Sequence, residues 1–304
     1  KCLFMRMAYV AGAGSIVTLL GAARGAVALR FYKDMMNVDI SFGTLTYYMF
    51  PLGWLMVFLL WGFFLVLCKP EKDRIVGLKE KASRMYRELG GITRNEILAA
   101  VIIFAAVLLI ALKSFVPALE NLDKTGILLC STIAFFVFNI LKIDDLEDIP
   151  WNIILLFAGA MSIGFCLWET GAAKWLAVNW LVLFQKAPAV VFIMGMSFFV
   201  LIMTNFIMNV AAIAISLPVA LVIAPYLGVA GEVILFSALA TAGMPFILLI
   251  GAAPNAIAYN SKQFTTGEFL KFGIIASLLL MIVLWLFVAF VWPMMGMEVC
   301  VPKE

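Results

Sequence analysis

The chain has 304 residues, 65% of them apolar and only 13% charged, with no histidine and a mean hydropathy of +1.11. No water-facing surface can be built from that composition, which excludes a soluble enzyme or a nucleic-acid-binding domain and leaves a polytopic, all-α membrane protein. The net charge of +3 does not point to nucleic acid, because the basic residues gather in one loop, and the five scattered cysteines form neither a disulfide nor a metal framework.

Uncharged or nearly uncharged runs mark the spans at about 7–29, 42–68, 97–112, 125–141, 149–168, 187–231, 233–261 and 272–297, each to be set against the roughly 20 residues that cross a bilayer. The first of them holds Leu19–Leu29, which matches Leu249–Tyr259 at six of eleven positions. Both stretches are rich in glycine and alanine, so both predict a helix broken at membrane depth. Such breaks are tolerated only beside protein or a polar cavity. Paired interruptions in two halves of a membrane protein point to a transporter's binding site. The first copy lies close to the start of the chain, which predicts that an amino-terminal segment of the whole protein precedes it.

The segment Lys69–Glu96 carries eight of the 21 basic residues and is therefore expected on the cytoplasmic side. Its apolar positions Ile75, Leu78, Ala82, Met85 and Leu89 recur at helical spacing. They suit either a solvated linker helix or one that lies on lipid. Alternation from this anchor puts 114–124, 168–186 and the tail outside, with 142–150 and 260–268 inside. The run 187–231 has 45 residues without a charge and is broken by Pro188, Pro218 and Pro225. It predicts a re-entrant hairpin with its tip near Asn205–Asn209. With that hairpin counted as non-crossing, about six spans remain and the two repeated stretches run in opposite directions, as an inverted repeat requires.

Enzyme constellations are missing: all 18 acids lie in loops or at span ends, with no phosphate loop or nucleophile elbow. A proton relay needs buried titratable groups, whereas a sodium ion needs only oxygens, and these occur at Thr204-Asn-Phe-Ile-Met-Asn-Val210 and Gly251-Ala-Ala-Pro-Asn255. The same hydroxyl and amides could simply bond between helices. Arg24 is the one charge expected beside a break at membrane depth. Either it snorkels to an interface or its guanidinium binds an anion.

These residues resemble the divalent anion:sodium symporters, the dicarboxylate/sulfate transporters. The family's Ser-Asn-Thr hairpin tip is matched by Met208-Asn209-Val210, preceded by Thr204 and followed by Pro218. Its broken helix Thr-Pro-Pro-Asn-Ala-Ile is matched by Ala252-Ala253-Pro254-Asn255-Ala256-Ile257, and its first-repeat element by Ala8-Tyr9 and Thr18–Gly25. The resemblance implies an elevator-type homodimer in the cell membrane, with no cofactor and with sodium as coupling ion. Residues 1–68 and 187–304 would move past a scaffold of 69–186. Thr204, Asn209 and the carbonyls of Ile207 and Gly251 would surround one sodium, and the carbonyl of Gly21 would serve another. Met208, Asn209, Val210, Pro254, Asn255 and Arg24 would face the anion. The chain departs from the family where Met208 and Val210 replace hydroxyl residues and where Ala23-Arg24-Gly25 replaces Pro-Pro-Asn. A citrate–metal, arsenite or sodium/proton carrier of the wider superfamily, or a transport-deficient membrane scaffold, are the rival readings.

Overall fold

The computed structural model describes residues 2–17, 23–67, 78–112, 124–147, 151, 154–155, 158–159, 162, 166, 169–184 and 187–301. Most of the span expected at 149–168, the segment 68–77 and Gly21 fall outside them. Among the described residues the regular structure is helical, apart from one isolated bridge between Val229 and Cys300. The chain forms two compact units, one of residues 1–69 and 151–304 and the other of 70–150.

In the larger unit α1 (Cys2–Gly14) and α2 (Ala23–Met36) flank the first interruption, followed by α3 (Phe42–Leu67). The Ser41 hydroxyl accepts the Thr44 amide at 3.1 Å and so caps α3. Leu45, Met49, Leu52, Met56, Leu60 and Phe64 recur every three or four residues along α3 and are all buried. The opposite face carries Tyr47, Phe50, Trp54, Phe58 and Trp61, each about half exposed. A helix of a soluble protein would turn polar residues outward there. An apolar outer face opposite an apolar core marks a helix bathed in lipid. Among the described residues three helical stretches are long and apolar enough to cross a membrane, Gly43–Leu67, Ala189–Phe206 and Thr266–Met294.

In the smaller unit α4 (Leu78–Leu89) keeps residues 81–88 exposed, while α5 (Arg94–Leu112) packs on α6 (Lys124–Val137). The start of α5 is closed by a capping box, in which Thr93 N–H donates to Glu96 at 2.7 Å and Glu96 N–H donates to the Thr93 hydroxyl at 3.3 Å.

Back in the larger unit come α7 (Ala172–Val182), α8 (Ala189–Phe206), α9 (Asn209–Ile223), α10 (Gly231–Ala242), α11 (Ala253–Asn260) and α12 (Thr266–Leu286), the last running on through a π turn to Met294. Only Ile207 and Met208, both extended, separate α8 from α9. The second interruption, residues 243–252, separates α10 from α11. The second stretch re-enters the helix at Ala253, after an extended Ala252; in the first stretch residues 23–29 are helical. The pieces cross: α1 packs on α11, and α2 packs on α9 and α10.

The second interruption is held to this frame by close approaches. Tyr9 on α1 is fully buried, and its hydroxyl lies 2.8 Å from the Phe269 carbonyl of α12 and 3.2 Å from that of Phe246. Gly273 on α12 has no side chain because the Phe246 carbonyl occupies the place a Cβ would take.

Candidate functional site

Breaking the helix over residues 243–252, where only Leu249–Gly251 make a 3-10 turn, leaves amides and carbonyls in an apolar core that must find partners. Two asparagines supply them. Asn205, at the end of α8 and almost wholly buried, accepts the Ile247 and Leu248 amides on its Oδ1 at 3.0 and 2.9 Å and donates from Nδ2 to the Leu201 carbonyl at 2.7 Å. Asn255, also buried, donates from Nδ2 to the carbonyls of Pro245 at 2.8 Å and Leu248 at 3.3 Å. The hairpin turn and the second interruption are therefore one connected structure.

Next to these bonds lies an oxygen cluster. The Thr204 hydroxyl sits 2.8 Å from Asn209 Oδ1 and 3.0 Å from the Ala242 carbonyl, and Thr204 itself is fully buried. It has one proton for two acceptors. Nearby oxygens also lack donors: among the described residues no amide donates to the carbonyl of Ile207 or of Gly251. Gly251 must be glycine here, since a Cβ would stand 2.6 Å from Pro245 Cβ and 3.3 Å from the Thr204 carbonyl. Oxygens in excess of protons, in a buried place, are what a hard cation selects.

Arg24 opens α2 and is 6% exposed. Its Nη2 donates to the Ser15 hydroxyl at 2.8 Å, and Ser15 donates on to the Gly12 carbonyl at 2.7 Å. The guanidinium packs against Gly243, where a Cβ would come within 2.7 Å of Nη2 and 3.1 Å of Cζ. Gly243 follows Ala242, the residue whose carbonyl belongs to the oxygen cluster, so the charge stands one residue from it. Among the described residues the ion pairs are Arg30–Asp34 and Lys33–Asp39, and no carboxylate meets Arg24.

The sequence-derived candidates thus divide. Thr204, Ile207, Asn209 and Gly251 converge on the hairpin turn and the interruption; Gly21 lies outside the described residues. Met208 is 47% exposed at the turn, Val210 and Pro254 are half-buried, and Asn255 spends its amide on the interruption's carbonyls. Sequence reasoning placed Asn205 beside Thr204 and Asn209 at the hairpin tip without a role of its own, and named neither Ser15 nor the Ala242 carbonyl. A polar residue in an apolar run was the only signal for Asn205 and Ser15, and a backbone oxygen has none.

Helices with apolar outer faces and two crossing interruptions define an all-α membrane protein. Its residues 1–298 match the model of the sodium:sulfate symporter transmembrane region, and the chain belongs to that family. An uncharacterized transporter of Methanocaldococcus jannaschii is 25% identical over 283 residues, covering 91% of this chain and 61% of the relative. The sodium-dependent dicarboxylate transporter SdcS of Staphylococcus saprophyticus is 24% identical over 319 residues, covering 99% of this chain and 61% of its own length. The Staphylococcus aureus protein of the same name matches with the same identity and coverage. This chain spans about three fifths of the length of the relatives it matches.

Proposed function

We propose that the chain carries the ion- and anion-binding core of a secondary transporter of the cell membrane, which imports a divalent anion with sodium as coupling ion. The observation that carries this reading is the oxygen cluster at the meeting of the hairpin turn and the second interruption, where Thr204 shares one proton between Asn209 Oδ1 and the Ala242 carbonyl. The family is one of transporters, and the relatives named for sodium-dependent dicarboxylate transport support sodium and a dicarboxylate or sulfate here.

In this reading α8 and α9 form a re-entrant hairpin. They hold 18 and 15 residues, hence about 27 and 22 Å of helix, so α9 falls short of the roughly 30 Å of hydrocarbon while α8 is just long enough to cross it. Their turn meets the interruption in the middle of the segment 231–260, so the tip stops inside the membrane. A cation bound by Thr204, Asn209 and the Ile207 and Gly251 carbonyls would tie the hairpin to the broken helix. Met208, Val210, Pro254 and the exposed edge of Asn209 would then face the anion. Residues 1–68 and 187–304 act as the moving part of an elevator built on inverted repeats, 69–186 as its scaffold with the 69–96 loop in the cytoplasm, and two copies assemble as a homodimer.

Asn209→Ala tests the assignment, because it removes an acceptor without touching the bonds that hold the interruption. Uptake of succinate and sulfate by the full-length protein in proteoliposomes should fall at least tenfold and need more sodium for half-saturation, with thermal stability close to that of the wild type. An unchanged sodium requirement would make Asn209 an ordinary interhelical hydrogen-bonding residue.

A further inference from the structure

Arg24 is a charge with no evident reason to be where it is. A buried guanidinium that meets no carboxylate is costly, and five donors demand acceptors. The Ser15 hydroxyl supplies one at 2.8 Å. The end of α10 softens the cost, since the last carbonyls of a helix carry its negative pole and Arg24 rests on Gly243, the residue that closes α10. Neither partner is an anion. At the matched position of the second stretch stands Pro254, a residue with no charge at all.

From this geometry we infer that Arg24 is a resident cation of the binding site: it takes one carboxylate or sulfate edge of the transported anion and stands in for part of the positive charge that coupling ions would otherwise bring. The inference rests on the proposed transport of a divalent anion and names the residue that pairs with it. A guanidinium presents two parallel N–H donors to a planar or tetrahedral oxyanion, and Ser15 fixes the plane of that fork by holding one arm. The same charge stands one residue from the Ala242 carbonyl, hence beside the oxygen cluster, where in a poorly screened interior it repels sodium. Anion affinity and sodium affinity are therefore coupled through Arg24 with opposite signs. The chain should draw on fewer sodium ions per anion than a site whose matching position is uncharged.

The test uses the full-length protein, purified and in proteoliposomes, with succinate and sulfate as probes. Arg24→Gln should raise the half-saturating succinate or sulfate concentration by about tenfold or more and at the same time lower the half-saturating sodium concentration. A variant that merely damages the fold would worsen both. Arg24→Lys keeps the charge and loses the fork, so its sodium constant should stay at the wild-type value while its anion constant rises about threefold. If Arg24→Gln does not accumulate, Arg24→Lys carries the test alone. Unchanged anion constants in the variants, or anion and sodium constants that weaken together, overturn the inference. If the wild type carries neither probe, the transport proposal fails, and the charge is then read from thermal stabilisation of the purified protein by sulfate in sodium-free buffer. That stabilisation must vanish in Arg24→Gln, and its persistence or its absence in the wild type overturns the assignment of Arg24.

Discussion

The two interruptions start from matching sequence and end in different chemistry. The second, 243–252, is clothed by neutral amides: Asn205 takes two of its N–H groups and Asn255 two of its carbonyls. The first is flanked by Ser15 and by Arg24, which are bonded to each other, with Gly25 where the second has Asn255. One is a scaffold of hydrogen bonds around oxygens that share few protons, and the other carries a buried guanidinium. In the transport reading proposed above, the two stretches divide the labour of holding charge between a bound ion and a side chain.

The comparison is broken most forcefully at Asn205. Asn205→Leu keeps the branched shape but removes the acceptor of the Ile247 and Leu248 amides, each of which would then be buried without a partner at about 1–3 kcal/mol. We expect the full-length protein to lose most of its thermal stability, or to fail to accumulate, in contrast to Asn209→Ala four positions away. If Asn205→Leu folds like the wild type and only loses sodium affinity, then Asn205 belongs to the ion site and the division between clothing and ligand is wrong.

How far this contrast was legible in the sequence follows from what each part is made of. Apolar helices, a hairpin turn within Asn205–Asn209 and a break that includes Gly251 could be read because apolar length and small-residue breaks are local properties of the chain, whereas the reach of that break back to Gly243 could not. Thr204 and Asn209 were legible as polar residues in an uncharged run. The Ala242 carbonyl was not, since every residue has one and only the crossing of α8 with α10 selects it. Nor was it legible that Asn205 and Asn255 would turn toward the same unwound strand, because that depends on contacts 42 and 10 residues apart along the chain. The burial of Arg24 against Gly243 is of the same kind, since it depends on packing between α2 and the end of α10 and not on any local property of the chain.

A sharper test makes the first interruption like the second. The double variant Arg24→Pro with Gly25→Asn installs the Pro-Asn of the second stretch, where Pro254 lies in the first turn of α11. Removing the charge and adding an amide oxygen should make uptake of succinate or sulfate depend more steeply on sodium, with a higher Hill coefficient, and weaken anion binding several-fold. An unaltered sodium dependence would mean that the difference between the two interruptions has no bearing on coupling.

The smallest effect is expected at Ser15, whose hydroxyl does not itself belong to either charge. It accepts one N–H of Arg24 at 2.8 Å and donates to the Gly12 carbonyl at 2.7 Å, so it links the guanidinium to the last turn of α1. Ser15→Ala leaves the charge, its burial and the neighbouring Gly243 as they are, and removes only the bond that orients the fork. A single hydrogen bond of this kind contributes about 1 kcal/mol, part of which Arg24 recovers by turning toward another acceptor. The half-saturating anion concentration should therefore rise about twofold to threefold, while the sodium constant, which depends on the charge and not on its orientation, stays where it was. Thermal stability should change little, because the Gly12 carbonyl retains its helical partner. A tenfold loss of anion affinity in Ser15→Ala would make the serine a direct anion ligand, and a matching fall in sodium affinity would mean that orientation and charge at Arg24 cannot be separated.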